Sequence, residues 1–173
     1  RGEDNIIVHR VPIRPARLRE LEQHLFMVFT GVKRKATDVV AKQLARVNEN
    51  VNTLKCMRTM VDQGWNILTS DGPLSEFGEL LHAAWKAKRS LDSGISNGEV
   101  DRLYELGMNN GALGGKLLGA GGGGFLLFFA PPEAHDRLRN TFAAYHELHT
   151  KFNAPGSEII FASTNENVGV GAL

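Results

Sequence analysis

Apolar residues recur along this chain with two different periods, and the change of period divides it into a helical stretch and a strand-rich stretch. Ile6–Val11 reads as a strand ended by Pro12 and Pro15, which lack the N–H a ladder needs. Arg14–His24 predicts a short helix, and the unbroken run Leu25-Phe26-Met27-Val28-Phe29 a buried strand closed by Thr30-Gly31. A long helical tract follows. Ala36, Val40, Leu44, Val47 and Val51 recur at helical spacing, as do Leu54, Met57, Val61, Trp65 and Leu68, with Asn48, Asn50 and Asn52 marking a break. After the loop Ser70-Asp71-Gly72-Pro73, a third helix carries Phe77, Leu80, Leu81, Ala84, Trp85 and Leu91 on one side. Ser93–Gly98 ends it, and Glu99–Met108 predicts a fourth helix. Gly111–Leu118 and Phe125–Phe129 read as strands around a glycine loop. Pro131-Pro132 opens a last amphipathic helix, with Leu138, Phe142, Tyr145 and Leu148 inward, and Ile159–Ala162 closes the sheet.

The glycine loop, Gly119-Ala120-Gly121-Gly122-Gly123-Gly124, satisfies G-x-G-x-x-G as a bare pattern. Its context excludes a dinucleotide fingerprint, which needs a helix to open at the glycines and an acidic residue downstream for the ribose. Here the loop runs into the strand-like Phe125–Phe129. A P-loop is excluded too, because Gly115-Lys116 is followed by Leu117 and not by Ser or Thr. Such a run costs chain entropy and marks positive φ angles or close approach of backbone to something else. That something is a ligand anion held by successive N–H groups, or the protein's own backbone in a tight strand connection.

Composition narrows the class. The 173 residues suffice for one domain with a core. A formal charge of +1 argues against a general nucleic-acid or anionic-membrane surface, while leaving room for a local basic pocket. The single cysteine, Cys56, excludes a disulfide framework and a multi-thiolate zinc site, and reads as a buried bystander. The six histidines, among them His135, His146 and His149, form no metal-ligand pattern, so no metal site is expected. Trp65 and Trp85 are expected to pack the helical layer. No apolar run reaches membrane length and no signal peptide opens the chain, which makes the cytoplasm the expected location. The chain starts at Arg1 without Met and reads as a cut through a longer one.

Gly114-Gly115-Lys116-Leu117-Leu118-Gly119-Ala120-Gly121-Gly122-Gly123-Gly124-Phe125 resembles the third motif of the GHMP kinases, a glycine-rich β-loop-β element near the active-site cleft. The stretches Phe29–Ala36, Leu80–Asn97 and Asn110–Phe129 together resemble the bacterial D-glycero-D-manno-heptose 7-phosphate kinase branch of that family. The resemblance runs from about Ile7 to Ala162. It implies an α+β fold: a ferredoxin-like C-terminal domain with additional helices packed on an antiparallel sheet, filling residues 1–173, with 1–35 near the domain junction. It also implies an ATP-dependent transferase of carbohydrate metabolism, taking the heptose 7-phosphate to the 1,7-bisphosphate for nucleotide-activated heptose biosynthesis. Expected partners are ATP and a small sugar phosphate, with no nucleic acid and no membrane. The family's Gly-Leu-Gly-Ser-Ser nucleotide loop and catalytic Asp have no counterpart in these residues. ATP and Mg2+ are therefore expected to be bound mainly by an absent N-terminal half, no catalytic residue is expected here, and this fragment alone is expected to be inactive. Mevalonate kinases usually carry Thr where this chain has Leu118, so that hydroxyl contact does not transfer.

Each candidate site residue has a plainer alternative. Thr30 and Gly31 could place a hydroxyl and an N–H at a cleft floor, or form a turn with helix N-cap chemistry. Arg34 and Lys35 beyond them suit a substrate phosphate or a solvated helix start. Lys86 and Arg89 share a helical face beside Trp85, near Lys88, and suit a phosphate, although most such clusters are simply solvated. Lys116 precedes the glycine loop and either neutralises a phosphate or flanks the strand. Two further function classes stay open: a GHMP kinase for galactose, fucose or a mevalonate-type alcohol, and a non-catalytic ferredoxin-like module that binds a metabolite or partner.

Overall fold

A computed structural model describes residues 7–32 and 44–152 of the 173. In chain order it contains α1 (Pro15–Gln23), β1 (Leu25–Phe29), α2 (Val51–Thr69), α3 (Ser75–Ser90), α4 (Gly98–Asn109), β2 (Gly114–Leu117), β3 (Phe125–Phe129), a 3-10 turn (Pro132–Ala134), α5 (His135–Thr141) and β4 (Glu147–Leu148).

The sheet has the strand order β2-β3-β1-β4, with every pair antiparallel. Helices separate β1 from β2, and α5 separates β3 from β4. This is the split β-α-β-β-α-β arrangement of ferredoxin-like domains, with α2, α3 and α4 together occupying the first crossover. The register pairs Phe26 with Phe128 and Val28 with Leu126. These four side chains, all buried, fall on one face because alternate residues of a strand point the same way. Trp85 from α3, Val100, Leu103 and Tyr104 from α4, and Leu138 from α5 complete that core. On the other side Phe129 packs with Leu21 of α1, Leu74, Phe77 and Leu81.

The closest helix-to-sheet approach is between α3 and β2. A Cβ built on Gly114 would lie 1.8 Å from the carbonyl oxygen of Gly78. Only glycine lets the two backbones meet there. The contact fixes where α3 lies relative to the strand that leads into the glycine loop.

Four expectations from the sequence are corrected. Residues 7–14 form no strand and lead directly into α1. The last helix stops at Thr141 because Phe142 leaves helical geometry, and Leu148 belongs to β4, where it pairs with Met27 on the free edge of β1. Cys56 is exposed, not buried. Of the two tryptophans Trp85 is buried, whereas Trp65 is 38% exposed. Both differences on α2 have one cause: this helix meets α3 through Gly64 and the stripe around it, the only fully buried position on α2. Arg34, Lys35, Ala36, Val40 and Ile159–Ala162 lie outside the described residues.

Candidate functional site

The glycine loop joins β2 to β3, and seven hydrogen bonds tie it to described segments distant in sequence, among them Gly124 N–H donating to the Val32 carbonyl at 3.0 Å. At its far end Thr30 clamps Gly124. The Thr30 N–H and hydroxyl both donate to the Gly124 carbonyl, at 2.8 and 2.9 Å, and the same hydroxyl accepts from Gly124 N–H at 3.2 Å and Val32 N–H at 3.3 Å. A hydroxyl has one donor and two acceptor sites, so Thr30 has none to spare. It is a buried strut, 3% exposed, rather than a free hydroxyl on a cleft floor. Gly31 beside it has φ +77°, which turns the chain away from β1.

In the middle, Gly122 N–H donates to the Ile95 carbonyl at 2.8 Å, and Asn97 Nδ2 donates to the Gly122 carbonyl at 2.9 Å. Asn97 also caps α4, its Oδ1 accepting from the N–H groups of Glu99 and Val100 at 3.1 and 3.0 Å. One side chain thus ties the start of a helix to the loop. The Ile95 carbonyl is presented by a turn that Asp92 holds, its carboxylate accepting from Gly94 N–H at 2.8 Å and its carbonyl from Ile95 N–H at 3.2 Å.

At the near end, Lys88 Nζ donates to the Gly119 carbonyl at 2.7 Å. Burial lowers the Lys88 pKa, and the charge of Lys116 lowers it further. The glycines themselves divide into two kinds. A Cβ on Gly121 would meet the Ile95 backbone at 2.8 Å, and one on Gly123 the Val32 carbonyl oxygen at 2.5 Å. At these positions the close approach is to the protein's own backbone. A Cβ on Gly119 would meet nothing within 4 Å among the described residues, which leave the near end of the loop open.

The structure separates the basic residues singled out in the sequence. Lys116 stands three residues before Gly119, on the edge strand packed by α3. Lys86 and Arg89 lie on a different side of α3, in a groove with His82, Tyr104 and Glu105. There Arg89 pairs with Asp101 at 2.5 Å and lies over the Trp85 ring, 5.9 Å from its centre. His82 Nδ1 hydrogen-bonds the Tyr104 hydroxyl at 2.8 Å. Burial, then the charges of Lys86 and Arg89, lower the His82 pKa, while burial pushes Tyr104 up to about 12. Lys88, Asn97 and Ile95 are the loop contacts that periodicity did not single out. Asn97 alone left a signal, as a helix cap ahead of an amphipathic run.

The described residues thus combine a ferredoxin-like sheet, three helices in the first crossover and a braced glycine loop between β2 and β3. Residues 66–147 match the family described as GHMP kinases C terminal, and this part of the chain belongs to it. Over 130 residues it is 28% identical to the D-glycero-alpha-D-manno-heptose 7-phosphate kinase of Campylobacter jejuni, covering 71% of this chain and 38% of that protein. Over 142 residues it is 34% identical to the bifunctional fucokinase/GDP-fucose pyrophosphorylase of Arabidopsis thaliana, covering 79% of this chain and 13% of that one. The crystal structure of L. major mevalonate kinase in complex with R-mevalonate superposes with a TM-score of 0.61 at 26% identity, over 69% of this chain and 37% of that chain. The chain thus spans well under half the length of these relatives. Among the described residues no helix is long and apolar enough to cross a membrane.

Proposed function

We propose that this chain is the C-terminal half of an ATP-dependent GHMP kinase that phosphorylates a sugar phosphate, D-glycero-D-manno-heptose 7-phosphate, at its anomeric hydroxyl. The observation that carries the proposal is the glycine loop: a backbone held at three points by its own chain, with lysines from two elements at its open end. Phosphoryl transfer depends mostly on positioning and charge stabilisation. A braced loop holds its dipoles in place beforehand, and cations beside it favour an acceptor that carries a phosphate.

In the proposed reaction the anomeric hydroxyl oxygen bonds to the γ-phosphorus of ATP, the bond from that phosphorus to the β,γ-bridging oxygen breaks, ADP leaves, and the hydroxyl proton is released to solvent. This chain's part is to hold the acceptor. Among the described residues no three His, Cys, Asp or Glu side chains group together. ATP and Mg2+ are assigned mainly to the remainder of a full-length kinase, because the family's nucleotide loop has no counterpart in these residues. The domain proposed for residues 1–173 is this acceptor-side unit, in the cytoplasm.

The identity to the fucokinase relative supports a second reading, an unphosphorylated deoxysugar acceptor. One assay separates the two. ADP release by the full-length polypeptide is followed with heptose 7-phosphate, the dephosphorylated heptose, fucose, galactose and mevalonate. Turnover with the heptose 7-phosphate in the usual range of roughly 1–100 per second, and little with the others, is expected. Equal use of the dephosphorylated heptose, or preference for fucose, overturns the heptose phosphate assignment, and no acceptor-dependent ADP release overturns the kinase.

A further inference from the structure

We infer that Lys88 and Lys116 together form a clamp for a phosphoryl group at the open end of the glycine loop. The inference rests on the kinase reading only for where that phosphoryl group comes from. Lys116 lies on β2, three residues ahead of Gly119. It borders a groove of about 390 Å3 together with Leu81 and Ala84 of α3, and is the only charged residue among the described ones on that lining. Lys88 continues the row Leu81, Ala84 by one further turn, since positions four apart stack on one face of a helix. The row ends at the loop, where Lys88 holds the Gly119 carbonyl.

Lys116 borders that groove beside Ala84, one turn before Lys88 on α3, and both lysines are half-buried; the charge of Lys116 acts on Lys88. Neither forms an ion pair with any described carboxylate, although nine arginine–carboxylate pairs elsewhere among the described residues show that carboxylates are plentiful. Like charges gathered without a counter-charge are unfavourable unless an anion completes the site. An ammonium has three N–H donors, and the single bond to Gly119 leaves Lys88 with donors for an oxyanion. The neighbouring Gly119 has no atom within 4 Å of its would-be Cβ, so there is room for one. The sequence grouped Lys86 with Arg89. The fold instead gives the loop Lys88, and leaves Arg89 paired with Asp101.

The test is titration of the full chain with inorganic phosphate, followed by the amide resonances of Gly119–Gly124. Saturable shifts are expected in the wild type, with the affinity weakened about tenfold or more by Lys88→Gln and by Lys116→Gln, and largely restored in Lys88→Arg. Lys116→Gln removes no hydrogen bond seen in the fold, so it keeps the test valid should Lys88→Gln unfold. Lys55→Gln, on the exposed side of α2, is the control. No saturable shift in the wild type, unchanged affinity in either Gln variant, or an equal loss in Lys55→Gln overturns the clamp. Parallel titrations with mannose 6-phosphate and with ATP identify the source. Dependence on both lysines for the monoester assigns the clamp to the acceptor, and dependence for ATP alone assigns it to the donor. Because the readout is binding, the clamp can stand where ADP release fails, and the kinase can stand where the clamp fails.

Discussion

The hydroxyl of Thr30 and the carbonyl of Gly124 lie 94 positions apart in the chain and 2.9 Å apart in space. That bond, with its reciprocal acceptance from Gly124 N–H, joins the end of β1 to the end of the glycine loop. It makes the loop a fixed part of the sheet. Removing the hydroxyl while keeping the shape should therefore loosen both. Thr30→Val is expected to cost about 1–3 kcal/mol, the desolvation penalty of buried groups left unpaired, whereas Thr30→Ser retains most of the stability. Urea unfolding of the two variants measures the difference. Equal midpoints for Val and Ser would show that the hydroxyl is not the strut.

Two loop glycines should respond differently to the same added methyl. Gly119 and Gly121 both have positive φ, +82° and +125°. Alanine at Gly119 meets open space and carries only the backbone penalty, roughly 1–2 kcal/mol. Alanine at Gly121 also drives its Cβ into the Ile95 backbone, displacing the turn that accepts from Gly122 N–H. Gly121→Ala is therefore expected to lower the melting temperature further than Gly119→Ala and to shift the Ile95 and Asn97 resonances. If Gly119→Ala is the more damaging of the two, the packing assignment of the loop is wrong.

The contact between Gly78 and Gly114 leaves no space for any side chain. Gly114→Ala must push α3 off β2, a backbone displacement at or beyond the upper end of the roughly 1–3 kcal/mol of ordinary overpacking. Thermal unfolding should show a loss of at least that size, together with loss of the near-ultraviolet signal of buried Trp85. A variant as stable as the wild type would mean that the helix and strand do not meet as described.

Acidification and alkalinisation should each act through the His82–Tyr104 pair. Burial and the nearby cations hold the His82 pKa below 6.5, so the unfolded chain binds its proton first as the pH falls. The stabilising contribution is complete above about pH 6.5 and is lost as the pH drops through the lowered folded value. Tyr104 has the opposite sign. Its pKa rises from 10.0 to about 12, so its contribution is complete below pH 10 and is lost as the pH climbs towards 12. Urea midpoints against pH should show both slopes, with His82→Gln flattening the acid limb and Tyr104→Phe the alkaline one. A limb that survives its own substitution assigns that titration to another group.

Much of the fold was legible in the residues. The run Leu25–Phe29, the helices at 75–90 and 98–109, and the strands around the glycines all fall where the apolar spacing puts them. The stretch after Thr141 did not, because Tyr145 and Leu148 continue a helical spacing by coincidence while the exposed edge of β1 recruits them: Phe29 N–H donates to the His146 carbonyl at 2.9 Å. The opening Ile6–Val11 run failed for the complementary reason, that no described strand offers it a partner. A strand is defined by its neighbour, and a neighbour cannot be read locally.

By itself the sequence determined most of the element types and singled out the glycine run, since these follow from periodicity and from chemistry carried within a few residues, while the ferredoxin-like architecture came from the family resemblance. Only the tertiary structure decided what the glycines and the lysines face. Lys86, Lys88 and Arg89 are nearly adjacent in sequence, but on a helix of 3.6 residues per turn two positions is more than half a turn. Lys88 therefore reaches Gly119, while Lys86 and Arg89 open onto the groove of His82 and Tyr104. The partners of the loop come from Thr30, Lys88, Ile95 and Asn97. Contacts between such separated positions exist only once the sheet has closed and α3 has come to rest on β2, because that packing, not any local preference, sets the distances.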